Sequence, residues 1–264
     1  MMDGFLLAFL LTVVIHAVET LSYSLRYAGV RTGKYAVALS LTGIVLLVSR
    51  TSNLIQSPIL GKMVDLAKKD SSYPLLTSFR SILTASSVGT LLGLLLFPTL
   101  VVFASRFLSH LEAAGSLSKM VTSVTIEQLK KAPVHLRRPT WAMLRSLRIY
   151  GVPKRLLALN IMATAIYTTG VLSALYASYL SPEFGTAASQ SSGLINGLAT
   201  VILALMIDPK MGLMTDKALA YPKERARLGK IFALMIVTRL IGTMVAQVLL
   251  VPAAYWILWV MKWL

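Results

Sequence analysis

Ionisable and amide side chains recur at helical spacing inside stretches made otherwise of Leu, Val, Ile, Ala and Phe. Thr12, His16, Glu19, Tyr23 and Arg26 follow one another at intervals of four, three, four and three, which places them on one face of a helix. Arg50, Asn53 and Ser57 form a second stripe with Gln56 beside it, and Arg239, Thr243 and Gln247 form a third. Arginine offers a planar fork of donors matched to phosphate or carboxylate. Arg26, Arg50 and Arg239, with Tyr23, Asn53 and Gln56, are therefore candidates to bind an anionic headgroup. His16 and Glu19 are a titratable pair that could sense or carry a proton, or simply hydrogen-bond inside the protein. Arg50 has a second reading as the ion-pair partner of Glu19, holding two helices together. The two readings are compatible if the pair opens to admit substrate.

Other chemistries fit less well. His16-x-x-Glu19 lacks the second histidine one turn away that zinc helices use, and His110 and His135 fall in a long loop, so no metal site is expected. The chain has no cysteine, which excludes disulfides and thiolate chemistry. Residues 26–34 carry Arg26, Arg31, Lys34 and two glycines but not the spacing of a nucleotide loop, and read first as a cytoplasmic turn. No cofactor is expected. The 26 Lys and Arg against 10 Asp and Glu could mean nucleic acid, but they sit in loops beside apolar spans. Membrane lipids are the better partner and nucleic acid is not expected.

The elements that must position these groups are membrane helices. With 56% hydrophobic residues in 264, the chain reads as an all-α polytopic membrane protein of about six transmembrane helices, in one membrane domain over 1–264. A first three-helix half covers 4–104, with spans near 4–25, 35–57 and 82–104. A basic amphipathic connector over 105–155 should lie on the inner leaflet. A second three-helix half covers 156–264, with spans near 156–180 and 191–207. The apolar run from Ile231 onward is too long for one upright span, and Pro252 is expected to bend or break it. Asn160, Thr164 and Tyr167 share a side of the fourth span, and Asn196 and Thr200 mark the fifth. Ala85, Gly89 and Gly93 form a small-residue ridge, read as an internal packing seam rather than a dimer interface. Asp3 and the lack of a small-residue cleavage site argue against a signal peptide.

Pro58, Gly61, Met63 and Asp65 reappear as Pro209, Gly212, Met214 and Asp216, all displaced by 151. One reading is a shared way of ending a membrane helix, in which proline stops it, glycine turns the chain and aspartate caps the next segment. The other is an internal duplication into inverted repeats, with Pro58, Gly61, Asp65, Pro209, Gly212 and Asp216 as gating positions. Counting loop charges places the loops after spans one, three and five inside and the N-terminus outside.

The segments His16-Ala17-Val18-Glu19-Thr20-Leu21-Ser22-Tyr23, Ala28-Gly29-Val30-Arg31-Thr32-Gly33 and Ser49-Arg50-Thr51-Ser52-Asn53-Leu54-Ile55-Gln56-Ser57-Pro58 resemble the Amj family of bacterial lipid II flippases. The likeness extends to the length and the six-span pattern. It implies a multi-pass protein of the bacterial cytoplasmic membrane. Its expected partner is lipid II, the undecaprenyl-pyrophosphate-linked peptidoglycan precursor, carried from inner to outer leaflet as an alternate to the larger MurJ flippase. It names no site residues, so those above rest on the stripes. Six spans make a small transporter, and a homodimer is expected to complete the cavity. Two alternatives stay open. One is an intramembrane enzyme acting on polyprenyl phosphates, with Ser49-Arg50-Thr51-Ser52 as its anion-binding segment and His16 and Glu19 as acid and base. The other is a small proton-coupled transporter.

Overall fold

Inside a bilayer every backbone N–H and C=O must find its partner within the protein, which for a chain of long apolar runs leaves helices. A computed structural model describes residues 2–114 and 152–263, and its elements are all helical. They are α1 (Met2–Thr32), α2 (Tyr35–Lys69), α3 (Leu75–Ala114), α4 (Lys154–Leu180), a short α5 (Gly185–Gln190), α6 (Ser192–Ile202), a π-helical segment (Leu203–Ile207), α7 (Asp208–Ala220) and α8 (Pro222–Met261). Among the described residues, six helical stretches, with α5 to α7 taken as one, are long and apolar enough to cross a membrane. The shortest has 27 residues. At 1.5 Å per residue it is about 40 Å long, more than the ~30 Å hydrocarbon core.

Several helix ends lie further out than the sequence reading placed them. The stop expected at Pro58 does not occur, because α2 runs through Pro58, Gly61 and Asp65 to Lys69. Pro98 sits inside α3, and α3 passes residue 104 to include His110. Pro252 does not break α8, which is one helix of 40 residues. A proline removes one backbone bond, but ending the helix within lipid would strip several more, so the helix continues through it. Asp208-Pro209 does not end the fifth span either. The backbone widens into the π-helical segment, and Pro209 falls in the first turn of α7, where a missing N–H costs least. Of the connector expected over 105–155, residues 105–114 belong to α3 and 154–155 begin α4, and residues 115–151 lie outside the described residues.

Small residues set the closest approaches. Gly89 of α3 lies against the backbone of Val13 and Ala17 on α1, where an added Cβ would come within 3.0 Å of the Ala17 nitrogen, and Gly93 lies against Thr20. The glycine ridge is thus the internal seam expected of it. Gly242 of α8 plays the same part against α4, where a Cβ would lie 2.8 Å from the carbonyl oxygen of Ile161. Polar pairs then fix the register. Asn160 donates to the Met235 carbonyl (2.9 Å) and to Thr238 Oγ1 (2.8 Å), joining α4 to α8. Ser87 donates to Thr243 Oγ1 at 3.0 Å, and Gln247 to the Arg80 carbonyl at 2.9 Å, joining α3 to α8. Apolar clusters fill the seams. Leu60, Met63 and Val64 of α2 meet Phe79, Ile82 and Leu83 of α3 and Leu250 of α8, and Leu156 of α4 meets Ile231 and Met235. The tight pairs are α1 with α3 and α4 with α8. By contrast α2 leans on α1 and meets α4 sparsely, and between them the polar stripes face one another.

Candidate functional site

Glu19, near the middle of α1, forms an ion pair with Arg239 of α8, their side chains 17% and 15% exposed. Ser49 of α2 donates to Glu19 Oε1 at 3.0 Å. The expected Glu19–Arg50 pair is therefore not formed. Adjacent helix residues point about 100° apart, so with Ser49 turned onto Glu19, Arg50 turns away. Arg50 is exposed and makes no hydrogen bond or ion pair among the described residues.

Three adjoining cavities follow the gap beside α2. The first, about 350 Å³, is lined by Tyr23, Arg26, Ser49, Arg50, Asn53, Asp208 and Arg239, and lies toward the Thr32 end of α1. The second, about 230 Å³, is lined by Thr12, His16, Gln56, Ser86 and Asn196, and shares Glu19, Asn53, Tyr167 and Thr168 with the first. The third, about 510 Å³, shares Ser57 and Val171 with the second and reaches Gly61, Asp65, Lys68, Ser178 and Gln190 at the far end of α2. Lys68 Nζ donates to Ser178 Oγ there at 3.3 Å, tying α2 to α4. A groove with polar walls thus runs the length of the apolar helices.

The structure brings Tyr23, Arg26, Glu19, Arg50, Asn53 and Arg239 to one cavity. Glu19 neutralises Arg239, which leaves Arg26 and Arg50 facing Asp208, a site with surplus positive charge suited to a phosphate. Asn53 donates to the Ser49 carbonyl at 3.1 Å, a bond within its own helix. Gln56 is committed elsewhere. It donates to the Ala8 carbonyl at 3.0 Å and to Thr12 Oγ1, which fixes α2 on α1. His16 is buried in the wall of the central cavity. Of the positions read as gates, Gly61 and Asp65 line the third cavity. Pro58, Pro209, Gly212 and Asp216 are exposed on α2 and α7 and line none of the three.

Thr168 and Asp208 are not among the candidates the sequence offers, and Ser49 enters only in the anion-binding segment of the enzyme alternative. Ser49 and Thr168 are small hydroxyl residues of a kind that membrane helices carry at many positions, and Asp208 stands beside the proline expected to end its span. Tyr167 and Asn196 stood out as polar in apolar spans, and that signal would have sufficed to include them. Five buried polar atoms in the walls of the first two cavities lack a partner among the described residues: Arg26 Nε, Arg239 Nε, His16 Nδ1, Thr168 Oγ1 and Asn196 Oδ1. Groups like these are normally satisfied, and these five sit on residues that line the groove.

No solved structure matches this chain. The chain is 39% identical over 261 residues to the lipid II flippase Amj of Bacillus subtilis (strain 168), covering 98% of this chain and 96% of that protein. Residues 11–261 match the family model described as Amj, alternate to MurJ, and the stripes of α1, α2 and α8 all fall within it. On both comparisons the chain belongs to the Amj family.

Proposed function

We propose that this protein is a lipid II flippase of the bacterial cytoplasmic membrane, moving the precursor from the inner to the outer leaflet. The observation that carries the reading is the groove itself. Its arginine-lined end lies beside Thr32 and Lys34, on the face that also gathers Lys210, Lys217, Lys223 and Arg227 and is therefore cytoplasmic by the charge rule. Pyrophosphate enters at Arg26 and Arg50, and the sugar–peptide part occupies the polar groove. Leu54 of α2 and Leu205 of the π-helical segment are 74% and 72% exposed, so the polyprenyl tail can stay in lipid alongside them.

Access alternates between two halves related by inversion. Helix boundaries support this. Displaced by 151 residues, α1, α2 and α3 fall within four residues of the ends of α4, of the α5–α7 stretch and of α8, and Lys69 falls on Ala220. The packing order repeats too: α1 holds α2 and α3 as α4 holds α6 and α8. Three spans per half reverse the second half in the membrane, the usual origin of alternating access. Gly61 and Gly212 then occupy matching places, and their freedom from close neighbours leaves room for movement.

The test is leaflet accessibility of lipid II in vesicles containing the purified protein, with phosphate release measured alongside. Movement without release supports the flippase. Phosphate release would favour an enzyme acting on polyprenyl phosphates, with His16 and Glu19 as acid and base.

A further inference from the structure

The central cavity brings together three buried polar atoms without partners among the described residues, each from a different helix: His16 Nδ1 on α1, Thr168 Oγ1 on α4 and Asn196 Oδ1 on α6. A cavity of about 230 Å³ has room for roughly seven waters at ~30 Å³ each, and Thr12, His16, Glu19, Asn53, Ser57 and Asn196 give it polar walls. Glu19 is the carboxylate of that wall, and His16 stands one turn before it on the same helix. Toward the outer face the cavity continues through Ser57 and Val171 into the third cavity, and toward the inner face it meets the arginine site at Glu19 itself.

We propose that the central cavity is a water-filled proton path from the outer face to Glu19. Protonating Glu19 there frees Arg239 to join Arg26 and Arg50 on the substrate's phosphate. This rests on the flippase reading above. The proton passes from outer water through the file to a Glu19 oxygen, giving a neutral carboxyl group and breaking the ion pair. It leaves from Glu19 into the inner cavity once the lipid has departed and Arg239 returns. One proton moves inward per lipid moved outward. The groups facing Glu19 fit the cycle. Among the described residues lining the two cavities, α1 contributes His16, Tyr23 and Arg26, α2 Arg50, α4 Tyr167, α7 Asp208 and α8 Arg239, while α3 and α6 place no ionisable side chain there.

The experiment uses the full chain in vesicles containing lipid II, with membrane potential clamped at zero and a pH gradient imposed. It reads the steady-state leaflet ratio of lipid II and, with a trapped dye, proton movement. One proton per lipid predicts a leaflet ratio that changes about tenfold for each unit of pH difference. Glu19→Gln should bring that response to unity, and so should Asn196→Leu combined with Thr168→Val, which dries the cavity without touching the ion pair. Should Glu19→Gln fail to fold, the second variant decides. A wild-type ratio indifferent to pH, or either variant responding like wild type, overturns the proton path and leaves the flippase reading standing. Proton movement that depends on Glu19 in vesicles where lipid II stays put would instead uphold the path and remove the flippase reading.

Discussion

Replacing Arg239 with methionine tests the ion pair at the centre of the groove. The change removes the partner of a carboxylate only 17% exposed and leaves Ser49 as the remaining donor to it. Breaking a buried pair from one side costs about 3–5 kcal/mol, and the residual exposure of both side chains places this one near the lower end. For a chain of this size 1 kcal/mol corresponds to roughly 2–4 °C in midpoint, so the loss should be about 6 °C or more. Glu19→Gln with Arg239→Met removes both charges and should recover most of it. Arg50→Ala should stay within about 0.5 kcal/mol of wild type, because Arg50 is exposed and bonded to none of the described residues. The assay is thermal unfolding in one detergent across the four proteins. If Arg50→Ala falls as far as Arg239→Met, or the double change is no better than the single, then Arg50 rather than Arg239 holds Glu19, and the site geometry is wrong.

The other predictions concern transport and topology. Arg50→Lys keeps the charge and loses the planar fork, so lipid II movement in vesicles should drop at least about tenfold while unfolding is unchanged; normal movement would remove Arg50 from the phosphate site. Gly61→Leu and Gly212→Leu should slow movement by favouring opposite access states, read as opposite changes in labelling of cysteines placed along the groove, and two wild-type results would leave the 151-residue correspondence without a role in gating. Because the chain has no cysteine, single cysteines at Glu183 and Lys223 should label from outside and only after permeabilisation, respectively. Equal labelling from outside would contradict the six-span arrangement.

What the sequence revealed and what it hid have physical causes. The polar stripes of α1, α2 and α8 were legible because charge inside an apolar helix is costly and therefore positioned, and those stripes do converge. Gly89 and Gly93 were legible for a related reason, since a missing side chain in a membrane helix marks close packing. Which charge pairs with which was not legible. Arg50 and Arg239 are equivalent in type, and the choice depends on a 100° turn between Ser49 and Arg50 that comes from how α2 sits on α1. Gln56 looked like a ligand, yet its amide bonds Ala8 and Thr12, a long-range contact that spacing along one helix does not disclose. Pro58, Pro209 and Pro252 misled because proline breaks helices in water, whereas in lipid the cost of ending a helix is higher. The third cavity came from the meeting of α2 with α4 to α6, elements whose proximity no local pattern announces.

The measurement that bears most directly on the central claim is lipid II accessibility in vesicles, compared between wild type and a variant carrying Arg26→Gln and Arg50→Gln, with released phosphate assayed in the same samples. The wild type should equilibrate lipid II between leaflets without releasing phosphate, and the variant should fold yet leave the lipid where it was placed. Equal movement by both proteins, or phosphate release by the wild type, would contradict it.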